Sequence, residues 1–153
     1  MSGPPRVTFG SNVLVYATQA GDPRQEAALE LLQLAAGGPC VLTLQALGEF
    51  FFAATRKRLA SRPEAAAQVR RWTVVFPSPV AASAAAVMAA MDAAAEGRFS
   101  YWDALLLATA AEAGCAAAIS EDMGEGAALG TIRVVPAFAE DGGVTPAARA
   151  ALL

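Results

Sequence analysis

Short apolar runs alternate with longer segments in which apolar residues recur every three or four positions. Val7–Phe9 is the first such run, and Gly10-Ser11-Asn12 turns it into a short helical segment, Val13–Tyr16. Asp22-Pro23 is a helix-start pair, an N-cap residue followed by proline at the first helical position. The helix it opens carries a leucine stripe through Leu34 and stops at Gly37-Gly38. Cys40–Leu42 reads as a short buried strand, and Thr43 as the N-cap of a long helix ending near Leu59. Pro63 opens another helix, Glu64–Trp72, and Trp72–Phe76 reads as a strand closed by Pro77-Ser78-Pro79. Val80–Glu96 is an alanine-rich helix ended by Gly97. Ser100 caps a helix, Tyr101–Ala113, that Gly114 stops. Cys115–Ile119 is a strand, Ser120–Gly126 a polar turn and Ile132–Val135 the last strand.

Strands this short and this apolar, separated by helices, are buried on both faces. That pattern predicts an α/β class fold, a three-layer α/β/α sandwich around a central parallel sheet. With no internal repeat and no linker, one domain is expected over residues 1–153, with a core of about 7–138 and a loosely ordered tail, 139–153. In open sheets of this kind ligands bind beyond the carboxyl ends of the strands. The polar residues that follow Phe9, Leu42 and Ile119, and those at nearby helix starts, therefore matter most.

Composition narrows the chemistry. The 153 residues contain no histidine, which excludes Ser–His and Cys–His nucleophiles and histidine-based zinc sites. The net charge of −3 argues against a strongly basic nucleic-acid binder but admits an enzyme that holds RNA briefly. Two cysteines, Cys40 and Cys115, lie beside apolar runs and read as free thiols of a reducing, cytoplasmic setting. MSGPPRVTFG has no signal-peptide pattern. Val80–Ala95 is apolar, but it contains Ser83 and Asp92 and falls short of the roughly 20 residues that cross a membrane.

Three acids stand apart from the solvated helix faces. Glu49 lies among Leu47, Phe50, Phe51 and Phe52, Asp103 lies in the first turn after Ser100, and Asp122 follows the strand that ends at Ile119. Taken singly, a solvent-facing stripe accounts for Glu49, a capping pattern for Asp103 and an ordinary turn for Asp122. Taken together, a parallel sheet brings all three to one edge. Clustered carboxylates repel one another, and a hard divalent cation such as Mg²⁺ or Mn²⁺ relieves the repulsion. Metal-assisted phosphodiester hydrolysis is the matching reaction.

The ordered set Phe9–Ala17, Glu49, Tyr101–Leu105, Ile119–Met123 and Arg133–Phe138 resembles the successive motifs of PIN-domain proteins, above all VapC-type toxins of toxin–antitoxin pairs. The resemblance implies an Mg²⁺- or Mn²⁺-dependent ribonuclease, usually a homodimer, restrained by an antitoxin protein. It assigns Glu49, Asp103 and Asp122 to the second to fourth acids, with Asn12 and Ser120 as supporting polar residues. The first acid is replaced by Gly10, which implies weakened activity. The rival expectations are an inactive PIN-like module that binds RNA or a protein, and a metal-dependent phosphatase. Against the phosphatase stand the lack of a phosphate-cradling glycine loop and of an Asp-x-Asp on the first strand. Arg56, Lys57 and Arg58, about two turns beyond Glu49, are usually a solvated face but can also guide RNA phosphates. The three phenylalanines before them read as core or dimer surface.

Overall fold

The computed structural model describes residues 5–124 and 126–153; Glu125, in the expected polar turn, lies outside them. In chain order the elements are β1 (Arg6–Phe9), α1 (Ser11–Ala17), α2 (Gln25–Ala35), α3 (Leu44–Arg56), α4 (Arg62–Val75), α5 (Ala84–Ala95) and α6 (Tyr101–Glu112). There follow β2 (Cys115–Ser120), β3 (Ala128–Leu129), β4 (Ile132–Pro136) and α7 (Pro146–Leu152). The sheet order is β1-β2-β4-β3, with β1, β2 and β4 parallel and the short β3 antiparallel to β4. Consecutive residues of one strand point to opposite layers. Ile119 and Val135 pack with α1, α2 and α3, whereas Ala118 and Val134 pack with Leu107 and Ala110 of α6. α5 covers the far side of α6, so every residue from Ala104 to Ala110 is buried. The expected three-layer α/β/α arrangement is present, around a mixed sheet.

Several elements differ from the sequence reading. Trp72–Val75 is the last turn of α4, not a strand. Ser61 and Glu64 cap each other's backbone at the start of that helix, and Pro63 stands in its first turn. Ala65, Val69, Trp72 and Phe76 then recur at helical spacing, and Trp72 meets Phe50 edge to face at 4.7 Å. Val74, which a strand would have buried, is 81% exposed. Cys40–Leu42 lies beside β1 through a single bridge, Val7 to Cys40, and Thr43 bridges Val80, so this flank of the sheet is held by isolated pairs. Because Val80 is committed to that bridge, the alanine helix starts later, capped by Ser83. The Asp22 carboxylate accepts from the Arg24 amide at 2.8 Å, which closes a turn and delays α2 to Gln25. Residues after Pro136, expected to be loose, carry α7. Thr145 caps it, Ala148 is fully buried, and Arg149 pairs with Glu30 of α2 at 2.6 Å.

Burial pushes the thiols of Cys40 and Cys115 up to about 12 and about 11, as suits free, unreactive packing residues. Among the described residues no helix is long and apolar enough to cross a membrane. The buried Thr43 hydroxyl accepts from the Ala46 amide at 3.0 Å and so fixes the start of α3, the helix that carries Glu49. Thr43→Ala is expected to cost about 1–2 kcal/mol, read from urea denaturation.

Candidate active site

The carboxyl ends of β1 and β2 are locked together. The Gly10 amide donates to the Ile119 carbonyl at 2.9 Å. The Asn12 side chain donates to the Ser120 hydroxyl at 3.1 Å and accepts from the Glu121 amide at 3.3 Å. Both ends of one amide thus hold the turn after β1 against the turn after β2. A second lock joins the helices. Gln45, in the first turn of α3, donates to the Trp102 carbonyl in the first turn of α6 at 2.9 Å. The Ser100 hydroxyl accepts from the Asp103 amide at 3.1 Å, which caps α6.

These locks tie together the elements that carry the predicted acids. Burial raises the Glu49 carboxyl above its ordinary value; the charge of Asp103 adds to the rise, and the Gln45 and Ser11 side chains oppose it. Burial likewise raises Asp103, the charge of Asp122 adds to this, and the Ser100 hydroxyl opposes it. Asp103 therefore sits electrically between the other two. Gln45, one turn before Glu49, adds a buried carbonyl oxygen with no hydrogen-bond partner. Its nitrogen donates to the Trp102 carbonyl. An all-oxygen, donor-poor cluster of this kind suits a hard divalent cation. The fit is one of chemistry and not of a closed cage, since among the described residues no three Asp, Glu or Cys side chains converge on a single metal position.

Gly10 stands at the end of β1, where the resemblance places the first acid. Its φ of −68° and ψ of 156° are open to any residue, so its backbone does not demand glycine. What demands it is Ser120. A Cβ on Gly10 would stand 2.6 Å from the Ser120 Oγ and 3.1 Å from its Cβ. The fully buried Ser120, held by Asn12, fills the space that a first-position side chain would need.

The two acids after Ser120 have separate surroundings. Glu121 accepts from the Tyr16 hydroxyl at 2.9 Å and pairs with the Arg24 guanidinium at 2.8 Å, while Asp122 is exposed at the mouth of a cleft. Burial, then the bond to Glu121, pushes the Tyr16 hydroxyl up to about 12, so it remains a donor. Tyr16→Phe is expected to leave Glu121 paired with Arg24 and to lower stability by about 1 kcal/mol, measured by thermal melting. The basic run divides. Arg56 lies over the Phe52 ring at 5.7 Å, and Arg58, with a φ of 58°, lines a hollow with Ser61 and Glu64. Lys57 faces the Asp122 cleft. Of the three phenylalanines, Phe50 is core, Phe51 is half-buried against it and Phe52 is 62% exposed. Sequence reasoning missed Ser11, Gln45, Tyr16 and Glu121. Only Gln45 carried a local signal, standing one helical turn before Glu49 on the same face.

A cleft lined by Asp22, Glu121 and Asp122 beyond the carboxyl ends of the parallel strands β1 and β2 marks an α/β domain with an acid-lined site. The PIN domain family model matches residues 10–124, and the chain belongs to that family. No curated protein sequence matches it at a significant level. Among solved structures it is similar to Mycobacterium tuberculosis VapC20, a sarcin–ricin-loop-cleaving toxin. The identity there is 20% and the TM-score 0.61, over 76% of this chain and 89% of that one. It is also similar to DNA-bound VapBC of Salmonella typhimurium, with 14% identity and a TM-score of 0.63, over 87% and 98%. Rickettsia felis VapBC2 bound to a promoter DNA fragment gives 13% and 0.61, over 86% and 98%. At these identities the likeness is one of fold.

Proposed function

We propose that the chain is a divalent-metal-dependent endoribonuclease of the toxin–antitoxin kind, weakened at its first acidic position by Gly10. What supports this reading is the placement of two half-buried acids, Glu49 on α3 and Asp103 on α6, on helices that the Gln45–Trp102 bond ties together, with Asp122 exposed beyond the end of β2. Those three carboxylates would hold Mg²⁺ or Mn²⁺, which supplies polarisation of the phosphate and acidification of water. The chain's own residues preorganise the cluster. Gln45 fixes the starts of α3 and α6 relative to each other, Ser100 holds the first turn of α6, and Asn12 and Ser120 hold the two strand ends. Cleavage then needs no covalent enzyme intermediate, which suits a chain without histidine. Incubation of a structured RNA with Mn²⁺ or with chelator tests the reading. Mn²⁺-dependent fragments are expected, and equal inertness in both across a broad RNA panel would sink it.

A second reading, a non-catalytic module, is favoured by the close fit of Ser120 against Gly10. Calorimetric titration with Mn²⁺ separates the two, because the module binds no metal. The partners we infer for the nuclease are a small antitoxin protein, the kind of complex in which two of the structural neighbours were solved, and a second copy of this chain. Exposed Leu44, Phe52, Met88, Met91 and Trp102 supply apolar surface for such contacts. Light scattering at twice the monomer mass is expected.

A further inference from the structure

A cleft of about 290 Å³ opens beside the acidic cluster, between the start of α1 and the end of α3. Ser11, Tyr16 and Gln19 line one wall, Lys57 stands on the other, and Asp122 stands at the edge. Its volume lies just below the roughly 300–1,000 Å³ typical of small-ligand pockets, so it has room for no more than about one nucleotide. Resting on the ribonuclease reading, we propose that this cleft seats the RNA nucleotide next to the cleaved phosphodiester, with the Lys57 ammonium on its phosphate and the Gln19 amide on its base edge.

Position is the first argument. Ser11 and Asp122 belong both to the cleft and to the acidic cluster, so whatever fills the cleft abuts the reacting phosphate. Charge is the second. Three acids, Asp22, Glu121 and Asp122, line the cleft. Arg24 pairs with the first two, at 3.7 Å and 2.8 Å, and offsets one of their two charges. Lys57 makes no ion pair among the described residues and is exposed, so its charge is left for a ligand anion. The third is selection within the basic run, because Arg56 is spent on Phe52 and Arg58 points into a separate hollow. The Tyr16 ring is covered by Arg24 at 5.1 Å and packed edge-on by Phe138 at 5.4 Å, so it forms a wall and not a free stacking platform. An amide at Gln19 can donate to or accept from any base, which makes the seat tolerant of sequence.

The test is binding, not turnover. The full chain is titrated against a short, fluorescein-labelled, unstructured RNA in Ca²⁺, with anisotropy as the readout at several salt concentrations. Lys57→Ala is expected to weaken binding by about 5-fold and to flatten the slope of log affinity against log salt by about 0.7, the loss of one single-strand phosphate contact. Gln19→Ala weakens binding without changing that slope, and Arg58→Ala stays within about twofold of the parent. If the parent binds RNA and Lys57→Ala binds it equally, the nucleotide seat is overturned and the ribonuclease reading stands. If the parent binds no RNA, both fall. Circular dichroism melting of each variant separates lost contacts from lost fold.

Discussion

Gly10→Asp combined with Ser120→Ala is expected to raise Mn²⁺-dependent RNA cleavage by at least about 10-fold over the parent, and Gly10→Asp alone by less. The backbone at Gly10 already has the extended conformation of a helix N-cap, and α1 starts there with no side-chain cap. A carboxylate at this point would both cap α1 and add the missing oxygen donor. The obstacle is the Ser120 hydroxyl, 2.6 Å from the position a Cβ would take. In the single variant Ser120 must rotate and give up its bond from Asn12, which adds a strain of about 1–3 kcal/mol in a filled interior. Removing the hydroxyl relieves most of this and leaves a 3.1 Å approach of the Ser120 Cβ, which a shift of a few tenths of an ångström absorbs. The single variant should therefore melt below the parent and the double variant recover part of the loss. Cleavage by the double variant no faster than by the parent would count decisively against a nuclease that lacks only its first acid.

Asp103→Asn is expected to weaken Mn²⁺ binding at least about 10-fold by calorimetry and to abolish residual cleavage. Asp103 is the acid coupled to both others, so its removal leaves Glu49 and Asp122 without a bridge between them. The same change should stabilise the metal-free protein at neutral pH. Burial raises the Asp103 carboxyl in the folded chain above its ordinary, unfolded value. Between those two values the folded chain binds more protons than the unfolded chain, so stability falls as pH rises through that window. Above it, the ionised Asp103 is a constant penalty; below the ordinary carboxylate value the penalty is gone. Asp103→Asn should therefore melt higher than the parent near pH 7, with the difference shrinking in acid. Burial is the largest cause of that rise, ahead of the opposing Ser100 hydroxyl. Mn²⁺ should raise the melting temperature of the parent and leave that of the variant in place. A variant that melts lower than the parent at both pH values would assign Asp103 to capping alone.

The basic run shows how far local sequence reaches. Arg56, Lys57 and Arg58 are adjacent in the chain, yet they face a phenylalanine ring, a cleft and a separate hollow. Adjacent positions diverge by about 100° around a helix, and this one ends at Lys57 with Arg58 in the left-handed region. Trp72–Val75 shows the reverse error. Three apolar residues and a threonine read alike as a strand or as a buried helical turn, and the contact of Trp72 with Phe50 and the exposure of Val74 separate the two. The tail carried a legible Thr145-Pro146 start, but α7 gains its stability from packing on α2, which no local pattern displays.

The chain's own order of residues determined the class of fold, the caps at Thr43 and Ser100, and which elements carry the three acids. Those are local matters, set by hydrophobic period and by side chains that reach neighbouring amides. Tertiary structure alone decided what Gly10 means. The sequence displays a missing carboxylate, whereas the fold displays a fully buried serine standing in its space, 108 residues along the chain from the asparagine that holds it. The same holds for the acids' shared electrostatics and for the cleft at Lys57. Each arises where β1, β2, α3 and α6 meet, and distance along the chain carries no record of that meeting.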